Sequence, residues 1–123
     1  MVINKAVFFD RDGVLNRAII KDKKPYAPRN FSKFVLYKST PEFIKILSNK
    51  GYKIFLVTNQ PDIGNGFTDL SELNKMHDYL CSLIKFDEIF VCLHSQSQKC
   101  ICRKPSPFFV LEAKKKYNLN LKN

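Results

Sequence analysis

Two aspartates stand one residue apart in Phe9-Asp10-Arg11-Asp12-Gly13-Val14, directly after the apolar run Ala6-Val7-Phe8-Phe9. The run is short and rich in β-branched and aromatic side chains, which predicts a buried strand. Open α/β sheets bind ligands in the crevice beyond the carboxyl ends of their strands. Asp10 and Asp12 would therefore face a binding crevice. Such oxygen donors suit a hard cation, and a carboxylate can also serve as nucleophile or general acid/base. By itself Asp-x-Asp-Gly reads sooner as a polar turn than as a site.

Two further groups bear on the choice. Thr58-Asn59-Gln60 follow a second apolar run at 54–57, and Arg103-Lys104-Pro105 lie beyond a third at 88–92. In a parallel sheet these strand ends share one edge, so a hydroxyl, an amide, a lysine and an arginine would face the aspartates. That set suits a metal-bound phosphate, whose transfer needs mostly positioning and charge neutralisation. Singly, Thr58 reads as a cap and Lys104 as a solvated charge; their succession at strand ends favours chemistry. A separate constellation is Cys92-x-His94, five residues, then Cys100-x-Cys102. Three thiols and an imidazole can hold zinc tetrahedrally, leaving no open position for water. Disulfides are the rival reading, which the lack of a secretion signal disfavours. Cys81 reads as a small buried hydrophobe, and His77 as a surface or packing residue.

The elements needed to position these groups alternate along the chain. After the first strand, residues 17–38 form a long irregular connection with Pro25 and Pro28, the mark of a functional loop or flap. A helix is predicted from Ser39-Thr40-Pro41-Glu42, with Ser39 and Glu42 as a capping box or Thr40 as cap before Pro41. Phe43, Ile44 and Leu47 form its apolar stripe, and Gly51 ends it. A sharply turning loop at 61–67 precedes a helix capped by Asp69, with Glu72 three residues on as in a capping box and Leu73, Met76, Leu80 and Leu83 on its buried face. After the strand at 88–92, a last helix runs from Ser106-Pro107 to about Tyr117. This β-α-β-α-β-α order predicts a parallel sheet with right-handed crossovers.

Asp10-Arg11-Asp12-Gly13-Val14, Thr58-Asn59-Gln60 and Arg103-Lys104-Pro105 together resemble the first three motifs of haloacid-dehalogenase-like phosphatases, in particular the small capless branch of subfamily III. The resemblance spans nearly the whole chain. It implies a three-layer α/β sandwich with a parallel sheet and no cap domain. By it, Asp10 would be the nucleophile that forms an aspartyl-phosphate. Asp12 would protonate the leaving oxygen and then activate water. Thr58 and Lys104 would hold the phosphoryl group, and Arg103, Arg11, Asn59 and Gln60 would contact substrate. Mg²⁺ would bind Asp10 and the Asp12 backbone carbonyl. A cation is needed on physical grounds too, because a carboxylate attacks an anionic phosphate poorly unless the repulsion is screened. The branch also carries a zinc loop here, which implies structural Zn²⁺ on Cys92, His94, Cys100 and Cys102, fixing the loop at 92–102 that presents Arg103 and Lys104.

The substrate implied is a phosphorylated sugar, with the 7-phosphate of a heptose 1,7-bisphosphate first. Residues 25–30 and 60–64 resemble the heptose enzymes, whereas the short His94-to-Cys100 gap is closer to those acting on histidinol phosphate, the alternative substrate. The family's fourth motif, a Gly-Asp followed by another acid, does not occur before Asn123. A C-terminally truncated fold is therefore expected, with the Asp10 strand as an exposed edge. Whether this is a piece of a longer enzyme or a short form with weakened metal binding stays open, and a non-catalytic phosphate-binding remnant is the matching alternative.

Composition narrows the field further. The chain of 123 residues, 45% hydrophobic and 26% charged, predicts one globular domain over residues 1–123 without internal repeats. No apolar run reaches membrane-spanning length and the N-terminus carries no signal-peptide pattern, so a cytoplasmic monomer without membrane contact is expected. The net charge of +10 comes mainly from lysines. They are scattered, as at Lys21, Lys45 and Lys114, rather than interleaved with aromatics. A small phosphorylated metabolite therefore fits the charge better than nucleic acid. A zinc-dependent nucleic-acid binder is the third reading.

Overall fold

In the computed structural model, which describes residues 4–95, 100, 102, 104 and 107–119, three strands form a parallel sheet. They are β1 (Ala6–Phe9), β4 (Lys53–Asn59) and β5 (Glu88–Cys92), in the order β1-β4-β5. Two short strands, β2 (Ile19–Lys21) and β3 (Lys24–Tyr26), form an antiparallel hairpin. The α-helices among the described residues are α1 (Thr40–Asn49), α2 (Pro61–Gly64), α3 (Leu70–Leu83) and α4 (Phe108–Tyr117).

The period-two alternation of β4 sorts the core into two layers. Ile54 and Leu56 pack with Leu15, Phe34, Ile44, Met76, Leu80 and Ile84, which places α1 and α3 on one face. Phe55 and Val57 point the other way, towards Phe90, Ala113 and Leu119, which places α4 on the opposite face. Phe55 is the aromatic hub of that layer, stacked on Phe8 at 5.1 Å and edge-on to Tyr117 at 4.9 Å. The outcome is the parallel sheet expected from the chain order, in the three-layer α/β sandwich that the resemblance implies.

Helix ends follow local chemistry, with two departures from expectation. Asp69 caps α3 by accepting from the Glu72 backbone N–H at 3.0 Å, as its position predicts. Glu72 does not reach back to close the box; it accepts from the Phe31 N–H at 2.9 Å and from Lys75. Ser39 precedes α1 without a side-chain cap bond, and the Thr40 hydroxyl instead donates to the Leu15 carbonyl at 3.3 Å. That bond ties the start of α1 to the turn after Asp12. Gly51, at φ +92°, takes the left-handed conformation that ends this helix.

On α3 the buried face is Leu73, Met76 and Leu80, continued by Ile84, whereas Leu83 is exposed. Cys81 is exposed as well, not the buried hydrophobe its type suggested. Residues 17–38 also hold more order than expected, namely the β2–β3 hairpin and a 3₁₀ turn at Phe31–Lys33. The hairpin turns through Asp22 and Lys23 at φ 52° and 64°. Favoured two-residue hairpin turns need positive φ at both positions, and Asp-Lys lacks the glycine that usually announces one.

Among the described residues β1 is an edge strand, as expected. A single parallel bridge, Asn4 with Leu119, begins along its free side, with Asn4 N–H donating to the Asn118 carbonyl at 2.9 Å. No helix among the described residues is long and apolar enough to cross a membrane.

Candidate active site

The register Phe9–Leu56 and Asn59–Cys92 brings the ends of β1, β4 and β5 to one edge of the sheet. Asp10 follows β1 there, its side chain 57% exposed and in contact with the Lys104 ammonium through Oδ1. Lys104 also donates to the Val57 carbonyl at 2.8 Å, and burial lowers its pKa. The Lys104 backbone is clamped by Asn59, whose Oδ1 accepts from its N–H at 2.9 Å and whose Nδ2 donates to its carbonyl at 3.3 Å. A cavity of about 220 Å³ reaches Asp10 and Lys104, between Phe8, Phe9, Val57 and Val110. Larger hollows, about 520 and 600 Å³, lie by the hairpin and between α1 and α3. Each is lined by a single acid, Asp22 or Glu42, rather than by a pair, so chemistry rather than volume marks the site.

Asp12 sits deeper, 18% exposed, inside a cage of donors. Its Oδ1 accepts from Arg11 Nε at 3.0 Å and Asn16 Nδ2 at 3.0 Å, and pairs with the Arg11 charge at Nη2, 2.9 Å away. Its Oδ2 accepts from Gln60 Nε2 at 2.8 Å. Gln60 is oriented by Arg11, because a guanidinium only donates and Nη2 meets Gln60 Oε1 at 3.0 Å. Gln60 Nε2 therefore faces both Asp12 and Thr58 Oγ1, the latter at 2.8 Å. The Thr58 oxygen is thus occupied as an acceptor, and its own proton makes only a long bond, 3.5 Å, to the Asn59 carbonyl.

Sequence reasoning placed Arg11, Asn59 and Gln60 on substrate, and their side chains are spent elsewhere. Arg11 is 0% exposed and turned into the core, Gln60 is buried, and Asn59 holds the Lys104 backbone. Arg103 lies outside the described residues. Asn16 and His77 were missed. Asn16 is fully buried against Asp12, and His77 Nε2 lies 3.2 Å from Arg11 Nη1. Neither carries a motif signal; the position of Asn16 four residues after Asp12 was the available cue.

Burial, then the Arg11 charge, lowers the His77 pKa from 6.5 to about 4, against an opposing pull from Asp12. An unfolded chain with an ordinary histidine binds the extra proton first as pH falls. The stability this histidine contributes is therefore complete above pH 6.5 and is lost as pH drops towards 4. Urea unfolding is expected to show about 2 kcal/mol less stability at pH 5 than at pH 7 from this group. That difference should vanish in His77→Gln.

The four predicted zinc ligands do converge. The ligand atoms of Cys92, His94, Cys100 and Cys102 all lie within 4.8 Å of one another. Cys92 Sγ is 3.7 Å from His94 Nδ1 and 3.2 Å from Cys100 Sγ, and Cys102 Sγ is 3.5 Å from His94 Nδ1. A tetrahedron with Zn–S bonds of about 2.3 Å has edges of roughly 3.8 Å, close to these spacings. Burial and the neighbouring thiols push Cys102 up to about 12. A cation at the centre reverses that, since metal-bound thiols lose their protons.

The parallel sheet covered on both faces, with Asp10 and Asp12 at one strand end and Thr58 and Lys104 beside them, is the haloacid-dehalogenase-like α/β fold. A model of the polynucleotide kinase 3 phosphatase family matches residues 5–123, and the chain belongs to that family. The D-glycero-beta-D-manno-heptose-1,7-bisphosphate 7-phosphatase of Helicobacter pylori strain J99 is 35% identical over 126 residues, covering 96% of this chain and 68% of that protein. The D-glycero-alpha-D-manno-heptose-1,7-bisphosphate 7-phosphatase of Campylobacter jejuni is 34% identical, with 97% and 67% covered. Among solved structures, the D,D-heptose 1,7-bisphosphate phosphatase of B. bronchiseptica, complexed with magnesium and phosphate, superposes with a TM-score of 0.79 at 28% identity. That match covers 95% of this chain and 65% of the other.

Proposed function

We propose that the chain is a phosphatase acting on a phosphorylated sugar, with the 7-phosphate of a heptose 1,7-bisphosphate as substrate. The observation that carries this reading is the pair of unlike carboxylates at one strand end, Asp10 open and facing Lys104, Asp12 caged behind it. The names of the relatives supply the substrate. An Asp10 oxygen attacks phosphorus while the bond to the sugar oxygen breaks, and Asp12 gives that oxygen its proton. The product on the enzyme is an aspartyl-phosphate. Asp12, now ionised, takes a proton from water as the water attacks phosphorus, which releases inorganic phosphate and restores Asp10. With two donors and the Arg11 charge on Oδ1 and one donor on Oδ2, Oδ2 is the Asp12 oxygen with room to carry the proton. Thr58 and Lys104 hold the phosphoryl oxygens, and Arg103 adds charge on the substrate side.

Two metals belong to this reading. Oxygen donors at the end of β1 fit Mg²⁺, which Asp10 and the Asp12 carbonyl would hold; bound there, it would screen the charge between nucleophile and phosphate. Cys92, His94, Cys100 and Cys102 fit a structural Zn²⁺ that steadies the loop presenting Arg103 and Lys104. The enzyme is read as a cytoplasmic monomer acting on a small metabolite, without nucleic acid or membrane. The five-residue gap between His94 and Cys100 favours histidinol phosphate as the second reading. Phosphate release from both compounds with Mg²⁺ separates the two. Faster turnover of the heptose bisphosphate is expected; a preference for histidinol phosphate would reverse the assignment, and no release from either would remove it.

A further inference from the structure

Arg11 is the largest fully buried side chain of the described residues, and a buried guanidinium is costly unless every N–H finds a partner. Each of its three nitrogens has a partner. Nε meets Asp12 Oδ1; Nη2 meets Asp12 Oδ1 and Gln60 Oε1; Nη1 meets His77 Nε2 at 3.2 Å and Met76 Sδ at 3.5 Å. The ring of Phe34 lies 5.3 Å from the guanidinium carbon. The strong acceptors on one side belong to the site. On the other side the strong acceptor is His77, on α3, since a thioether accepts weakly.

We propose that His77 is a positioning residue for the phosphatase reaction, fixing the plane of the Arg11 guanidinium and through it both Asp12 and the Gln60–Thr58 pair. The inference rests on the phosphatase reading for its kinetic consequence and on geometry alone for its structural one. Arg11 can only donate, so His77 Nε2 must accept and the imidazole proton must reside on Nδ1. The depressed His77 pKa keeps that neutral form across the physiological range. Without the acceptor, Arg11 is anchored at Nη1 by sulfur alone and its guanidinium plane can pivot about the Cδ–Nε bond. A pivot moves Nη2, the atom that holds Asp12 Oδ1 and Gln60 Oε1 together. Because Gln60 in turn faces Thr58, a loss on α3 reaches the acid/base and the phosphate-binding hydroxyl in one movement. Neither group touches His77 directly, which explains why no motif points to it. Proton transfer and electrostatic stabilisation depend on sub-ångström placement, so the effect belongs in turnover rather than in substrate affinity.

The experiment compares His77→Leu and His77→Gln in the intact chain. Glutamine can again offer an oxygen to Nη1, whereas leucine fills the space without an acceptor. Nitrogen-15 spectra of the unaltered chain at pH 7 should show Nδ1 protonated and Nε2 bare. The Asp12 side-chain carbon resonance should shift in His77→Leu and return in His77→Gln. In the Mg²⁺-supported assay, His77→Leu should lose about tenfold in kcat with KM within twofold, and His77→Gln should recover most of it. An Nε2-protonated ring, or an Asp12 resonance equal in all three proteins, would overturn the proposal, as would a folded His77→Leu with unchanged kcat. If the unaltered chain releases no phosphate, the phosphatase reading falls, and the two spectroscopic results alone decide the His77–Arg11–Asp12 linkage.

Discussion

Asp10→Asn is expected to lower turnover by about 10⁴-fold or more while leaving the fold intact. The amide keeps the size and the oxygen of the carboxylate but has no charge with which to attack phosphorus, so the covalent route closes. Little stability is at stake. The Asp10 side chain is 57% exposed, and its pairing with Lys104 is of the solvent-exposed kind that contributes about 0–1 kcal/mol. Lys104 retains the Val57 carbonyl as partner and Asn59 continues to hold its backbone. Initial rates with Mg²⁺, set beside thermal unfolding of the same preparation, give the answer. A well-folded Asp10→Asn that keeps even a few per cent of turnover would exclude Asp10 as the nucleophile.

The second large effect concerns the sulfur cluster. A reduced, unchelated preparation is expected to hold one zinc per chain, and Cys92→Ala is expected to hold none. Cys92 is fully buried at the end of β5, in register with Asn59, so zinc there joins the loop to the sheet. The loss should cost several kcal/mol. It should fall short of the roughly 10–16 kcal/mol that zinc supplies to peptides that fold only with metal, because this sheet has its own two-layered core. Removing the buried thiol has a cost of its own, so a chelator acting on the unaltered chain is the control that isolates the metal. Cys81→Ala, at an exposed helix position, should keep both zinc and stability. Less than one equivalent of zinc in the unaltered chain would count decisively against the site.

What the sequence made legible follows from how locally each feature is encoded. The strand β1 came out at its observed bounds, because an apolar run ending in Asp-x-Asp-Gly is a local pattern. The same holds for β5 and for Asp69 capping α3. The hairpin at 19–26 was invisible since its residues are all exposed and carry no alternation towards a core. Leu83 obeyed the helical spacing yet faces solvent, because α3 ends there and Ile84 takes over the packing. Within the site, Asp10, Asp12, Thr58 and Lys104 were readable as residue types at strand ends. The direction in which Arg11, Asn59 and Gln60 point was not. A polar side chain beside a site reads as a substrate contact in one dimension. Whether it faces ligand or supports a neighbour depends on partners such as His77, 66 positions away.

The placement of β4 has one more consequence, for the order in which the site comes apart. Ile54–Thr58 are buried, with Phe55 and Leu56 paired on both sides, whereas β1 has only half-buried residues and a partner along one side for most of its length. Amide hydrogens open to solvent in proportion to such protection. Under native conditions the amides of β1 should exchange well before those of β4. Of the three sheet strands, the proposed phosphate-holding Thr58 is thus on the better-protected one and the proposed nucleophile, Asp10, follows the less protected one. Local fluctuation would therefore interrupt attack long before it loosened the grip on phosphate.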